Sequence, residues 1–118
     1  MKLEDFKNKL NATPQAMEFS ETIAVIAANY EFTPTAFTNG ELHNAAGENS
    51  GSCKVFAFAQ IQGFSKEETL ACFGTYYVDD VLKDPEGSGH QNIRNFMRTG
   101  FSGLAFEGEA LSKINNLS

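Results

Sequence analysis

Residues 53–62 read CKVFAFAQIQ, and whether this run forms a helix or a strand decides the fold. The alternation of phenylalanine, alanine and valine suits a buried strand, whereas the length of the run, its two alanines and its two glutamines favour a helix. Ser52 can cap the start of such a helix, and Gly63 can occupy the position just after its end. We therefore predict a helix. Because it would be apolar on nearly every side, it should be the central, buried element.

A β-hairpin is predicted just before this helix. Residues 35–38 and 41–44 are short runs on either side of Asn39 and Gly40. An Asn-Gly pair between two such runs is the strongest short-range signal of a hairpin turn. Residues 104–106, which read Leu-Ala-Phe, could add a third strand to the hairpin, and the chain beyond them is expected to be weakly structured.

Two helices are predicted before the hairpin. The first carries Leu3, Phe6 and Leu10 along one side. The second contains the apolar side chains between positions 23 and 30. It must end before Thr33, because a residue that precedes proline avoids the α region.

Two more helices are predicted after the central one, each opened by a capping box. Residues 65–68 (SKEE) open a helix that should continue to about Asp84. Gly74 lies inside it, where a glycine should allow another backbone to approach closely. Residues 88–91 (SGHQ) open the last helix, and Gly100 should end it. The predicted fold class is α+β: a mostly helical single domain with a small antiparallel hairpin or three-stranded sheet.

Length and charge limit the classes of function. The chain has 118 residues, so we expect one domain over residues 1–118. Nine basic residues against 15 acidic ones give a net charge of −6, which repels phosphate backbones and anionic lipid surfaces. Neither nucleic acid nor a membrane is therefore an expected partner. The N-terminus lacks the apolar stretch of a signal peptide, and we expect a cytoplasmic protein.

Cysteine usage agrees with that compartment. Cys53 and Cys72 belong to no C-x-x-C pair and are too few for a disulfide framework, so both thiols should be free. No histidine, cysteine or acidic spacing matches a known metal motif. We expect neither a metal nor a cofactor.

One candidate binding region is the glycine-rich loop at residues 47–54. Ser52 and Lys54 would lie at the N-terminus of the central helix, where free N–H groups favour an anion. The loop lacks the spacing of a phosphate-binding P-loop, which excludes nucleotide hydrolysis of that type. Asn39 and His43 of the hairpin are expected on the same polar side. The alternative is a purely structural loop capped by Ser52.

A second candidate region is the ridge of His90, Arg94 and Arg98, which are four residues apart on the last helix. Both arginines of the chain belong to it, and arginine favours bidentate contacts with carboxylate or phosphate. The structural alternative is that the ridge pairs with acidic side chains just upstream. These are Asp79, Asp80, Asp84 and Glu86.

Cys53 is a candidate nucleophile. In the first turn of a helix its thiol would have a lowered pKa. His43 and His90 are the two histidines that could serve as its base. The alternative is that Cys53 is a small core residue, as free cysteines usually are.

Three longer phrases resemble a known family. Residues 30–40 (YEFTPTAFTNG), 49–54 (NSGSCK) and 90–97 (HQNIRNFM) are similar to the HopJ family, whose members are named as type III effectors of bacteria. The resemblance implies synthesis in the bacterial cytoplasm and delivery into a host cell, where the protein would interfere with defences. It implies no known reaction, cofactor or catalytic residue.

Three functions are therefore open. The first is binding of a protein or a small anionic ligand through the side formed by residues 39–44, 50–54 and 90–98. The second is a small hydrolase or transferase that uses Cys53. The third is a bacterial housekeeping protein that is not secreted. The sequence leaves the oligomeric state open.

Overall fold

The computed structural model describes residues 2–114 and packs helices and short strands around one buried helix. The helices are α1 (Leu3–Ala12), α2 (Phe19–Asn29), α3 (Ser50–Gln62), α4 (Lys66–Ala71) and α5 (Gln91–Thr99). The strands are β1 (Tyr30–Phe32), β2 (Phe37–Asn39), β3 (Leu42–Asn44), β4 (Leu104–Phe106) and β5 (Leu111–Lys113). Short 3₁₀ turns occupy Pro14–Ala16 and Gly100–Gly103, and a π-helical turn occupies Tyr76–Val81. This confirms the mostly helical α+β class.

The described helices are all too short or too polar to cross a lipid bilayer.

Helix α3 is the central element, as predicted. The side chains of Phe56 and Phe58 are fully buried. The ring centre of Phe56 lies 4.8 Å from the ring centre of Phe96 in α5. The ring centre of Phe58 lies 5.8 Å from that of Phe6 in α1. Since neighbours cover α3 on several sides, the run needs apolar side chains nearly all round. Gly63 follows its end in the left-handed region (φ 72), as predicted.

The predicted hairpin is present, but its turn lies one residue later than the Asn-Gly pair suggested. Strand β2 pairs antiparallel with β3, and Asn39 lies opposite Leu42. The turn therefore consists of Gly40, at φ 64, and Glu41. Asn39 belongs to the strand, and its side chain is fully buried. Strand β4 pairs with the other edge of β2, which confirms the third strand and gives the order β3-β2-β4.

A second sheet has no counterpart in the sequence-based prediction. Helix α2 ends at Asn29, before Thr33 as predicted, and β1 follows at once. Strand β1 pairs antiparallel with β5, with Glu31 opposite Ser112. The expectation of a weakly structured chain is therefore wrong for residues 111–113. A three-residue strand is too short for an alternation of polar and apolar residues to reveal it. Residues 115–118 lie outside the described residues.

The single helix predicted from residue 66 to about Asp84 is wrong, because Gly74 interrupts it. Its capping box does form, since Ser65 accepts from the backbone N–H of Glu68 at 3.1 Å. Gly74 has φ 62, and a Cβ placed there would lie 2.7 Å from the backbone nitrogen of Phe19. The predicted close approach of another backbone is thus confirmed. The positive φ of Gly74 is incompatible with a continuous α-helix, so α4 ends before it and the π-helical turn follows.

Candidate functional site

A cleft of about 530 Å³ opens where the N-termini of α3 and α5 meet. Its polar wall is built from the start of these two helices, and its apolar wall comes from α2, β3 and the segment after α4. The residues that line it are Phe19, Leu42, Asn49, Gly51, Ser52, Phe73, Tyr76, His90, Gln91, Asn92 and Ile93. None of these lining residues is acidic, although the chain as a whole carries a charge of −6.

Helix α3 presents free backbone donors to this cleft. The residue before it, Asn49, is in the left-handed region (φ 50), and its side chain does not cap the helix. The first intrahelical bond runs from the N–H of Cys53 to the carbonyl of Asn49 at 3.0 Å. The N–H groups of residues 50–52 therefore have no partner within the helix. The expectation that Ser52 caps α3 is wrong, because the helix begins earlier and Ser52 lies inside its first turn.

Gly51 allows an aromatic ring to lie against this first turn. A Cβ at position 51 would stand 2.9 Å from Cζ of Phe19. The ring of Phe19 therefore occupies the space that a side chain at position 51 would need. The same glycine thus joins the apolar wall of the cleft to its polar wall.

Helix α5 repeats the arrangement. His90 precedes it in the left-handed region (φ 56), without a side-chain cap, and the N–H of Arg94 donates to the carbonyl of His90 at 3.1 Å. The N–H groups of residues 91–93 are thus without intrahelical partners. The predicted capping box at residues 88–91 is wrong, since Gln91 donates to the carbonyl of Ser88 instead. Two positive helix ends therefore meet at one cleft, where they favour an anion.

Buried asparagines fix the two helix ends relative to the hairpin. Asn39 donates to the backbone carbonyl of Asn92 at 2.8 Å and to its side-chain oxygen at 3.0 Å. Asn92 in turn donates to Oδ1 of Asn44 at 3.0 Å, and that oxygen also accepts from Asn49 at 2.6 Å. We call Asn39, Asn44, Asn49 and Asn92 the asparagine cluster. It connects β2, β3 and the starts of both helices.

The π-helical turn forms the rim of the cleft. Tyr76 begins it and is 41% exposed, with its ring centre 5.1 Å from that of Phe19 and 5.2 Å from that of His90. Asp80, four residues later, places Oδ2 3.1 Å from Nε2 of His90. A carboxylate only accepts, so a hydrogen bond here uses the imidazole Nε2 as its donor. Turns of this type recur at functional sites.

The two arginines lie outside this cleft. They line a neighbouring cleft of about 330 Å³ together with Leu82 and Met97. The guanidinium of Arg94 donates to the backbone carbonyl of Asp84 at 2.8 Å and to that of Gly89 at 2.5 Å. The carboxylates we expected as partners are not its partners, because backbone carbonyls of the preceding loop take their place. The expected pairing with an upstream acid is made by His90 instead.

Cys53 is part of the core. It is 1% exposed, its thiol lies 3.6 Å from the carbonyl of Thr35, and burial raises its pKa. The sequence-based expectation was the reverse, a lowered pKa from the helix N-terminus. Desolvation outweighs that effect because the side chain points away from solvent. His43 is exposed on β3 and lines neither of the two clefts described above.

The structure thus brings together only some of the predicted binding residues. Ser52 and His90 line the main cleft, and Asn39 supports it from behind through Asn92. Lys54 lies elsewhere, with Nζ 4.9 Å above the ring of Phe32. Tyr76 was not among the predicted site residues, since a flanking position on a helix does not show which cleft the side chain lines.

Within residues 2–114, no three His, Cys, Asp or Glu side chains lie close enough together to hold a metal ion.

Comparison with known proteins finds one matching family and one similar solved structure. A family model described as "HopJ type III effector protein" matches residues 3–111. The fold is also similar to one entitled "Crystal structure of unknown function protein VPA0580", with a TM-score of 0.95 and 54% sequence identity. That match covers 97% of this chain and 95% of the other. Among curated proteins, none matches significantly.

Proposed function

The chain belongs to the HopJ family, described as type III effector proteins, and from that premise we propose that it acts by binding a small anionic ligand. The ligand would lie in the cleft between the N-termini of α3 and α5.

The observation that carries the proposal is the convergence of two uncapped helix ends. Neither Asn49 nor His90 caps its helix through its side chain, so the first-turn N–H groups of both helices are left for another acceptor. By contrast, α4 begins with a complete capping box at Ser65. An anion could accept from both helix ends, and the aligned peptide dipoles would favour its charge.

The charge around the cleft points the same way. The lining residues contain no carboxylate, the carboxylate of Asp80 at the rim has His90 as its partner, and Ser52 adds a hydroxyl donor beside the free N–H groups. The volume of about 530 Å³ lies in the range of small-molecule sites, roughly 300–1,000 Å³. The proposal therefore favours a small ligand over a protein surface.

A charge-reversal experiment tests the proposal. Ser52→Asp puts a carboxylate inside the cleft, yet an acidic residue in the first turn of α3 should not weaken the helix. Ser20→Asp is the matched control, because Ser20 is exposed in the first turn of α2 and does not line the cleft. Thermal melting of both variants and the wild type is measured with 10 mM phosphate, acetate or benzoate, each against sodium chloride of equal ionic strength.

We expect at least one anion to raise the melting temperature of the wild type and of Ser20→Asp, and none to raise that of Ser52→Asp. An anion at ten times its Kd would add about 1.4 kcal/mol of stability by mass action. If no anion stabilises the wild type, or if both variants respond equally, the proposed function is wrong.

A further inference from the structure

One wall of the cleft is aromatic and partly open to solvent. Phe19 stacks on Phe73 with ring centres 6.3 Å apart and planes at 12°, and Tyr76 meets Phe19 edge-on. Tyr76 is one of only three large apolar or aromatic side chains that are exposed in the described chain. Two of its neighbours, Phe19 and His90, are rings, so the exposed area continues an aromatic surface. Such a wall favours a flat apolar body.

The polar wall of the cleft offers neutral donors rather than cations. Among the eleven lining residues there is no lysine or arginine, and the nearest imidazole, His90, already has Asp80 as a partner. Arg94 is occupied by the carbonyls of Asp84 and Gly89. Dianionic phosphate groups are usually bound through charge-assisted contacts from lysine or arginine. A single carboxylate needs less compensation, and free backbone N–H groups can provide it.

We infer that the ligand of this cleft is a small monocarboxylate with a flat aromatic body. Its ring would lie against Tyr76 and Phe19, and its carboxylate would accept from the first-turn N–H groups of α3 and α5. The inference rests on the proposed function, since it names the chemical class of the anion that the cleft binds. It distinguishes this class from phosphate esters, which the lining residues would compensate poorly.

Isothermal titration calorimetry with four probes tests the aromatic ring and the carboxylate of the ligand separately. Benzoate has both the ring and the carboxylate, benzamide is its neutral counterpart, acetate lacks the ring, and inorganic phosphate carries more charge. We expect benzoate to bind at least tenfold more tightly than each of the other three. Tyr76→Ala should weaken benzoate binding at least tenfold and leave acetate unchanged, whereas Tyr76→Phe should bind benzoate as the wild type does.

The outcomes separate the inference from the proposed function. If phosphate or acetate binds as tightly as benzoate, and Tyr76→Ala has no effect, the inference is wrong while the anion site stands. If benzamide binds as tightly as benzoate, the carboxylate contributes nothing and both are wrong. If none of the four probes binds, both are wrong as well. Circular dichroism of Tyr76→Ala establishes that any loss of binding is not a loss of fold.

Discussion

Asn39 at the end of β2 donates its side-chain amide to Asn92 in the first turn of α5, at 2.8 Å from the backbone carbonyl and 3.0 Å from Oδ1. Both side chains are buried, and they are 53 residues apart in the chain. This contact ties the start of α5 to the central strand of the sheet. It therefore fixes one of the two helix ends that form the cleft.

Asn39→Ala should lower the free energy of unfolding by about 1–3 kcal/mol, because it leaves two buried acceptors of Asn92 without this donor. Urea denaturation measures the change. Asn8→Ala is the matched control: Asn8 is exposed in α1, and its replacement should change stability by less than about 0.5 kcal/mol. Equal effects for the two variants would contradict a structural role for the asparagine cluster.

Gly74→Ala should be much more destabilising than Gly63→Ala. Both glycines have positive φ, 62 and 72, so alanine at either position has a backbone cost of roughly 1–2 kcal/mol. Only at Gly74 would the new Cβ also collide with backbone, 2.9 Å from the carbonyl oxygen of Met17. At Gly63 nothing lies within 4 Å.

The two glycine variants should differ in their free energy of unfolding by the cost of the clash between the new Cβ at position 74 and the neighbouring backbone. We expect roughly 1–3 kcal/mol of additional destabilisation for Gly74→Ala, the usual size of overpacking effects. Denaturant unfolding under identical conditions gives both values. A difference near zero would mean that the segment of Met17 and Phe19 can shift away at no cost.

The sequence predicted the helix starts and ends that depend on a few adjacent residues. It did not predict the features that depend on residues far away in the chain. The capping box at Ser65 and the helix end at Gly63 depend on a few adjacent residues, and both are confirmed. The break at Gly74 coincides with a close contact to the backbone of Phe19, 55 positions earlier, which no local pattern contains. The same holds for the pairing of β1 with β5, which joins distant parts of the chain.

The same distinction explains why only part of the candidate site was predicted. Ser52 and His90 could be selected because each lies near a recognisable helix start. The burial of Asn39 could not, since the sequence predicted it as a turn residue, whereas it is the last residue of β2. The charge of Arg94 suggests a carboxylate or an anion as its partner. Its partners are backbone carbonyls instead, and every residue has one, so the sequence does not identify them.

Arg94→Lys should destabilise the protein by about 1 kcal/mol, because one ammonium group cannot replace a guanidinium that reaches the carbonyls of both Asp84 and Gly89. Arg98→Lys is the control, since Arg98 is exposed and its side-chain partner is Asn95 in its own helix. Thermal melting compares the two. If 10 mM phosphate stabilised the wild type and not Arg94→Lys, Arg94 would be an anion ligand rather than a structural residue.

Both cysteines should react slowly in the native protein. Burial raises the pKa of Cys53, and it raises that of Cys72 from 9.0 to about 12. The reactive thiolate is thus scarce at pH 8, and the alkylation rate of Cys72 should increase only towards pH 12. Iodoacetamide followed by mass spectrometry should modify two thiols in urea without reductant, and almost none in the native state. Rapid native labelling of Cys53 at pH 8 would restore the nucleophile hypothesis.

Amide NMR shows whether the two uncapped helix ends bind one anion. Uniformly ¹⁵N-labelled protein is titrated with sodium benzoate and, in parallel, with sodium phosphate at constant ionic strength. We expect saturable shifts, with a single Kd, at the N–H groups of residues 50–52 and 91–93. The N–H groups in the first turn of α4, where Ser65 already caps the helix, should not move. Shifts at α4, shifts at one helix end only, or no saturable shift with either anion would contradict this binding.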